Sequence, residues 1–119
     1  MKNKFGIILV KPQLGENIGA CARSMKNFGF SQLHIVSPKI NFPNHKAKAT
    51  SVGAFDIINK ARVFEETNKA ISDFDIVISL SARKRDINKK HISLNNLIKL
   101  IKKKKNSNFG FMFGPEASG

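Results

Sequence analysis

Tryptophan and tyrosine are absent from this sequence, cysteine occurs once, and acidic residues number only eight in 119. A single cysteine, Cys21, cannot form an intrachain disulfide or a Cys-rich zinc site. Long apolar runs are missing too. The longest near the N-terminus covers residues 5–10, far short of a membrane span, and it carries no small-residue cleavage site. The expectation is a cytoplasmic chain with no signal peptide, no membrane partner and no metal.

What is present is ordinary in apolar content: 41% hydrophobic, including ten Phe, which suits a globular chain and not a disordered one. The length allows one domain, residues 1–119, around one core. Against the eight acidic residues stand 21 Lys and Arg, a formal net charge of +13. A surface that positive attracts polyanions at long range and suits RNA. A general bias toward Lys, Asn and Ile produces the same excess, so charge alone leaves both readings open.

Residues 4–10 form a short run rich in Ile and Val, read as a buried strand. Residues 11–16 read as a turn containing Pro12 and Gly15. Asn17 then reads as the N-cap of a helix with Ile18, Cys21, Ala22, Met25 and Phe28 at apolar spacing and Gly29 at its end. A second strand is expected at 33–36, stopped by Ser37 and Pro38. A loop at 41–44, a short helix at 45–55, a brief strand at 62–64, a helix at 65–73 and a buried strand at 75–80 follow. After a polar, basic loop at 81–90, Ser93 is placed to cap a helix carrying Leu94, Leu97, Ile98 and Ile101 and running into Lys102, Lys103, Lys104 and Lys105. The last strand is expected at 109–113, with Gly114, Pro115 and Glu116 turning out of it. Strands alternating with helices predict an α/β fold, a parallel Rossmann-like sheet with flanking helices. Ligands of such sheets bind at the carboxyl ends of the strands, which directs attention to residues 11–17, 81–85 and 114–119.

Three constellations fall in those loops. In Asn17-Ile-Gly-Ala-Cys-Ala-Arg23, a helix N-terminus offers free N–H groups to a phosphate, Gly19 admits a close approach by an RNA backbone or another strand, and Arg23 is placed to grip a phosphate bidentately. By spacing alone, a capped helix with a surface arginine is the simpler reading. In Ser79-Leu-Ser-Ala-Arg-Lys-Arg85, small residues at a strand end leave backbone groups open to an adenine edge or a ribose, and Arg83, Lys84 and Arg85 add charge; a solvated basic loop is the plainer alternative. In Phe113-Gly-Pro-Glu-Ala-Ser-Gly119, Gly114 permits an unusual backbone angle or a close cofactor approach, Pro115 stiffens the turn, and Glu116 is held at the sheet edge to bond backbone amides or orient Arg23; an ordinary strand-to-helix turn fits as well.

Taken together, their order and wording resemble the SpoU branch of the SPOUT RNA methyltransferases, nearest to its tRNA 2′-O-methyltransferases. Asn17-Ile-Gly-Ala-Cys-Ala-Arg23-Ser-Met-Lys-Asn-Phe-Gly29 is similar to the family's first motif. Val52-Gly-Ala-Phe-Asp56 and Ser81-Ala-Arg83 resemble its middle, and Phe113-Gly-Pro-Glu-Ala-Ser-Gly119 its second motif. The resemblance implies a SPOUT α/β-knot fold, S-adenosyl-L-methionine bound in the knot, a tRNA or rRNA substrate and a homodimer. It implies a catalytic region at Asn17, Arg23 and Glu116, cofactor contacts at Leu80, Ser81, Ala82 and Gly114, and RNA contacts at Arg23, Arg83, Lys84 and Arg85. Close relatives usually carry Thr where Leu80 stands, so a backbone bond, not a side-chain bond, is expected there. The family's third motif, which threads the knot, belongs after the second, where this sequence stops at Gly119. The expectation is therefore a domain lacking its knot-forming C-terminal segment, with a catalytically silent RNA-binding remnant as the alternative function.

The implied reaction is in-line displacement of a methyl from sulfonium to a ribose 2′-oxygen, without a metal. A guanidinium pKa above about 12 makes Arg23 a poor base, so its expected role is to fix a phosphate and stabilise the developing alkoxide. Cys21 is expected to be a buried, inert thiol, and His34, His45 and His91 to be surface or structural residues.

Overall fold

A computed structural model describes residues 3–80 and 93–114. The elements, in chain order, are β1 (Lys4–Val10), α1 (Gly15–Phe28), β2 (Gln32–Val36), α2 (His45–Thr50), α3 (Phe55–Lys60), β3 (Arg62–Phe64), α4 (Thr67–Ile71), β4 (Ile76–Leu80), α5 (Leu94–Lys103) and β5 (Asn108–Phe113). Every strand pairing is parallel, and the five-stranded sheet has the order β3-β2-β1-β5-β4. The expected parallel α/β sheet is thus the observed one.

Alternation along β1 assigns its two faces. Ile7 and Leu9 join Leu33 and Ile35 of β2 and the apolar stripe of α1, Ile18, Ala22 and Met25, in the larger core, which α2 and α3 complete through Ala47, Ile57 and Ile58. On the same side Phe5 stacks on Phe30, Phe109 and Phe111 at centroid distances of 5.3, 5.6 and 6.3 Å. The other face carries Ile8, Val36, Ala70 and Phe74. Phe74 packs against the two glycines of the central strands: a Cβ would come 2.7 Å from its ring at Gly6 and 2.8 Å at Gly110. His34 belongs to this second layer. It is 2% exposed, lies between Phe64 and Phe74, and its Nδ1–H donates to the Ala70 carbonyl at 2.7 Å.

The structure revises several expectations. Helix α1 starts at Gly15, not after Asn17. Leu14 is its extended N-cap residue and makes no side-chain cap, so Asn17 lies in the first turn. The reason is tertiary. Gly15 fits beneath Asn44, whose side chain caps α2 by accepting from Ala47 N at 3.1 Å, and a Cβ on Gly15 would fall 2.9 Å from Asn44 Cγ. Phe28, expected on the apolar face, is 78% exposed. The helix expected at 45–55 is two helices, α2 and α3, because the chain turns between them through Gly53 at a left-handed φ of 82°. The helix expected at 65–73 is confined to Thr67–Ile71. The Ser93 cap forms as expected, its hydroxyl accepting from Asn96 N at 3.1 Å, and Gly29 ends α1 at a left-handed φ of 77°.

Candidate functional site

Strand order places a switch point between β1 and β5. The chain leaves β1 toward β2 on one side, while β5 is entered from β4 on the other. In open α/β sheets the crevice beyond the strand ends at such a point is where ligands bind. Here the register aligns Leu9, Phe113 and Leu80 across three neighbouring strands. Adjacent strands lie about 4.8 Å apart, so the carboxyl ends of β1, β5 and β4 stand side by side. Gly114 and Leu80 are therefore neighbours at this carboxyl edge. Leu80 and Phe113 are each 40% exposed there, and an added Cβ at Gly114 meets no described residue within 4 Å. Gly114 is not in a left-handed conformation; of the two uses expected for it, the unusual backbone angle is not observed.

Helix α1 begins at this edge and runs back along the sheet. Its buried stripe is Gly15, Ile18, Gly19, Ala22 and Met25. Asn17, Ala20, Arg23, Ser24 and Asn27 are exposed on its other side. Asn17 stands in the first turn, beside the carboxyl edge. Arg23 is about 9 Å farther along the helix axis. Helical Cα–Cβ bonds tilt toward the helix N-terminus, the end of α1 that lies at this edge. Gly19 is not part of that open surface. Its close approach is to α2, where a Cβ would meet Thr50 and the Ala47 carbonyl.

Two residues that sequence reasoning did not single out shape the same edge. Lys11, directly after β1, has φ 51°, and Ser37, directly after β2, has φ 43°. Left-handed backbone is uncommon outside glycine. Both are held by the next strand: Lys11 N donates to Val36 O at 2.7 Å, and Ser37 N to Phe64 O at 2.8 Å. Ser37 Oγ adds a bond to Glu65 O at 2.8 Å. The available sequence signal was a repeated one, since each of these residues ends a strand and precedes a proline, Pro12 or Pro38. Lys11 is exposed, so this turn carries a cation at the mouth of the crevice.

Ser81, Ala82, Arg83, Lys84, Arg85 and Glu116 lie outside the described residues, as does His91. Among the described residues no three His, Cys, Asp or Glu side chains gather as metal ligands, and no helix is long and apolar enough to cross a membrane. Burial pushes the Cys21 thiol up to about 11, so it is protonated at neutral pH and unsuited to nucleophilic attack.

The profile of the SpoU rRNA Methylase family matches residues 4–119. The chain is 38% identical over 118 residues to the tRNA (cytidine-2′-O-)-methyltransferase TrmJ of Methanocaldococcus jannaschii, covering 97% of this chain and 50% of that protein. It is 41% identical over 87 residues to the tRNA (cytidine/uridine/adenosine-2′-O-)-methyltransferase TrmJ of Pseudomonas aeruginosa, covering 73% of this chain and 34% of that one. Among solved structures, TrmJ from Z. mobilis ZM4 superposes with a TM-score of 0.86 at 38% identity, over 96% of this chain and 51% of that chain. The chain thus spans about half or less of the length of these relatives.

Proposed function

The chain belongs to the SpoU rRNA methylase family, and from that membership we propose that it is a methyltransferase domain that methylates a ribose 2′-hydroxyl of tRNA or rRNA with S-adenosyl-L-methionine as donor. The observation that carries this reading is the alignment of Leu9, Phe113 and Leu80. It sets Leu80, the residue before Ser81, beside Phe113, the first residue of the second motif, at the edge where the helix of the first motif begins.

The residues at the edge suit the cofactor. Leu80 and Phe113 form a half-exposed apolar pair against which a purine packs, and Gly114 presents no side chain between them and the crevice. Backbone groups from Leu80 to Ala82 and at Gly114 are the proposed cofactor contacts. When bound, S-adenosyl-L-methionine supplies the electrophilic methyl group. The chain's own work is to hold the ribose in line and stabilise the oxygen as it loses its proton. Arg23 is proposed to grip the adjacent phosphate and lend positive charge to the developing alkoxide. A guanidinium stays protonated and does not accept that proton, which passes to the RNA phosphate or another group. Asn17 and Glu116 are proposed to complete the catalytic region, and Arg83, Lys84 and Arg85 to hold RNA beyond it. A second copy of the chain and a cytoplasmic location complete the proposal. No observation favours the alternative of a catalytically silent RNA-binding remnant.

The test is incubation with methyl-labelled S-adenosyl-L-methionine and unmodified tRNA or rRNA, followed by alkaline hydrolysis. Alkali-resistant labelled dinucleotides support ribose methylation. Label confined to alkali-sensitive mononucleotides would show base methylation and overturn the reading.

A further inference from the structure

Four consecutive lysines, Lys102, Lys103, Lys104 and Lys105, close α5 just before β5, at the opposite, amino edge of the sheet. We propose that the lysine run closing α5 is a second phosphate-binding surface, contacting the body of a folded RNA remote from the nucleotide being methylated.

Lys102, Lys103, Lys104 and Lys105 are all exposed. They project from a short arc that is fixed to the sheet at both ends. Asn3 Nδ2 donates to the Ile101 carbonyl at 2.9 Å, and Asn3 Oδ1 accepts from Ser107 N at 3.0 Å. Lys4 N donates to Ser107 O at 3.0 Å, which sets the exposed Lys4 beside the run. Lys104 N bonds back to Leu100 O at 2.9 Å, and Asn106, at a left-handed φ of 61°, turns the chain into β5. The lysines are thus anchored to the strands, not carried on a loose tail.

Among the described residues three exposed cations have acidic partners: Lys26 with Asp56 and Arg62 with Asp73, both at 2.8 Å, and Lys69 with Glu66 at 3.7 Å. What sets the run apart is that its four exposed lysines are consecutive in the chain. No described acidic residue forms an ion pair with the lysine run. The acids nearest in strand order are already engaged, Asp73 by Arg62 and Asp75 by Asn108 N at 2.7 Å. The helix dipole accounts for Lys102 and Lys103 in the last turn, but not for Lys105 beyond it.

Position identifies the kind of RNA. Strand β1 separates the two edges by roughly 20 Å, so the run cannot touch the phosphates flanking the target ribose. It can serve only an RNA that extends around the domain, which a folded tRNA or rRNA does and a short hairpin held at the carboxyl edge does not. The inference rests on the RNA-methylation reading above.

The experiment titrates tRNA and a short RNA hairpin, across a salt series, into the 119-residue chain, the triple variant K102Q/K103Q/K105Q, and a control triple K46Q/K48Q/K69Q that removes equal charge elsewhere. Lys104 is kept so that both triples remove three charges, and circular dichroism checks that both variants fold. Expected for K102Q/K103Q/K105Q is a loss of tRNA affinity on the order of tenfold or more at low salt. Its log–log salt slope should be shallower by about one unit per contacting lysine, with hairpin binding and the control triple little changed. Equal losses in both triples would show bulk charge at work and overturn the proposal, as would loss of binding to phosphatidylserine vesicles in place of tRNA. Absence of RNA binding by the unaltered chain would instead strike the methylation reading itself.

Discussion

Gly19 of α1 lies directly beneath Thr50 of α2: a Cβ built on Gly19 would stand 2.9 Å from Thr50 Cβ and nearer still to its hydroxyl oxygen and to the Ala47 carbonyl. Thr50 is itself held in place, its hydroxyl donating to Lys46 O at 2.7 Å. The glycine in the middle of the first motif therefore serves the contact between two helices. Gly19→Ala should destabilise the fold by about 1–3 kcal/mol, the usual range for overpacking. Thr50→Ala should rescue it only in part, because the backbone carbonyl of Ala47 remains in the way. Urea midpoints of the two single variants and the double variant measure this. A stable Gly19→Ala protein that has lost RNA binding would return the residue to the RNA surface.

Arg23 is exposed on α1, apart from the buried stripe. Arg23→Ala should therefore change stability by no more than about 0.5 kcal/mol. In a chain of the relatives' full length it should abolish methylation while leaving cofactor affinity nearly unchanged, as calorimetry would read. Arg23→Lys should not restore activity, because an ammonium lacks the planar fork. Equal loss of cofactor binding would show that the roles are assigned wrongly.

Cys21 is packed against the larger core, and burial raises its thiol pKa from 9.0 to about 11. A raised folded-state pKa means that folding favours the protonated thiol. This contribution is fully present below pH 9 and is lost as pH rises from about 9 toward about 11, where the unfolded chain ionises first. Alkylation by iodoacetamide at pH 8 should be slow in the native protein and rapid in urea, and Cys21→Ser should flatten the alkaline limb of a stability–pH profile. Rapid native alkylation would contradict the assignment of an inert thiol.

His34 joins α4 to the sheet through its bond to Ala70 O, between rings centred 4.9 and 5.1 Å away. His34→Leu fills most of the space but leaves a buried carbonyl unpaired, an expected loss of about 1–3 kcal/mol. Thermal unfolding should show the drop without a change in RNA affinity. An unchanged midpoint would mean that water satisfies the carbonyl and that the histidine bond contributes little.

The apolar run at residues 4–10 was legible as a buried strand because Val and Ile continue through it without polar alternation, the mark of a strand covered on both faces. The run at 75–80 forms a strand as expected but not a buried one: β4 ends the strand order, and its residues are half-buried to exposed. That Leu80 and Gly114 meet at one edge was legible because parallel strands end on the same side of the sheet. The start of α1 was misplaced by three residues, since the Asn17 that looked like a cap competes with a packing contact at Gly15 that local sequence does not display. The split of residues 45–55 had a local signal in Gly53, outweighed by the surrounding alanines.

By itself, then, the sequence determined where the five strands run and that helices alternate with them, which depend on near neighbours in the chain. The tertiary structure alone decided that β5 enters between β1 and β4, bringing Gly114 beside Leu80. It decided that Gly19 faces Thr50, that Lys11 and Ser37 turn left-handed against the next strand, and that Asn3 clamps Ser107. Each of these joins residues far apart in the chain, and their contact energies outweigh the local preferences that a sequence displays.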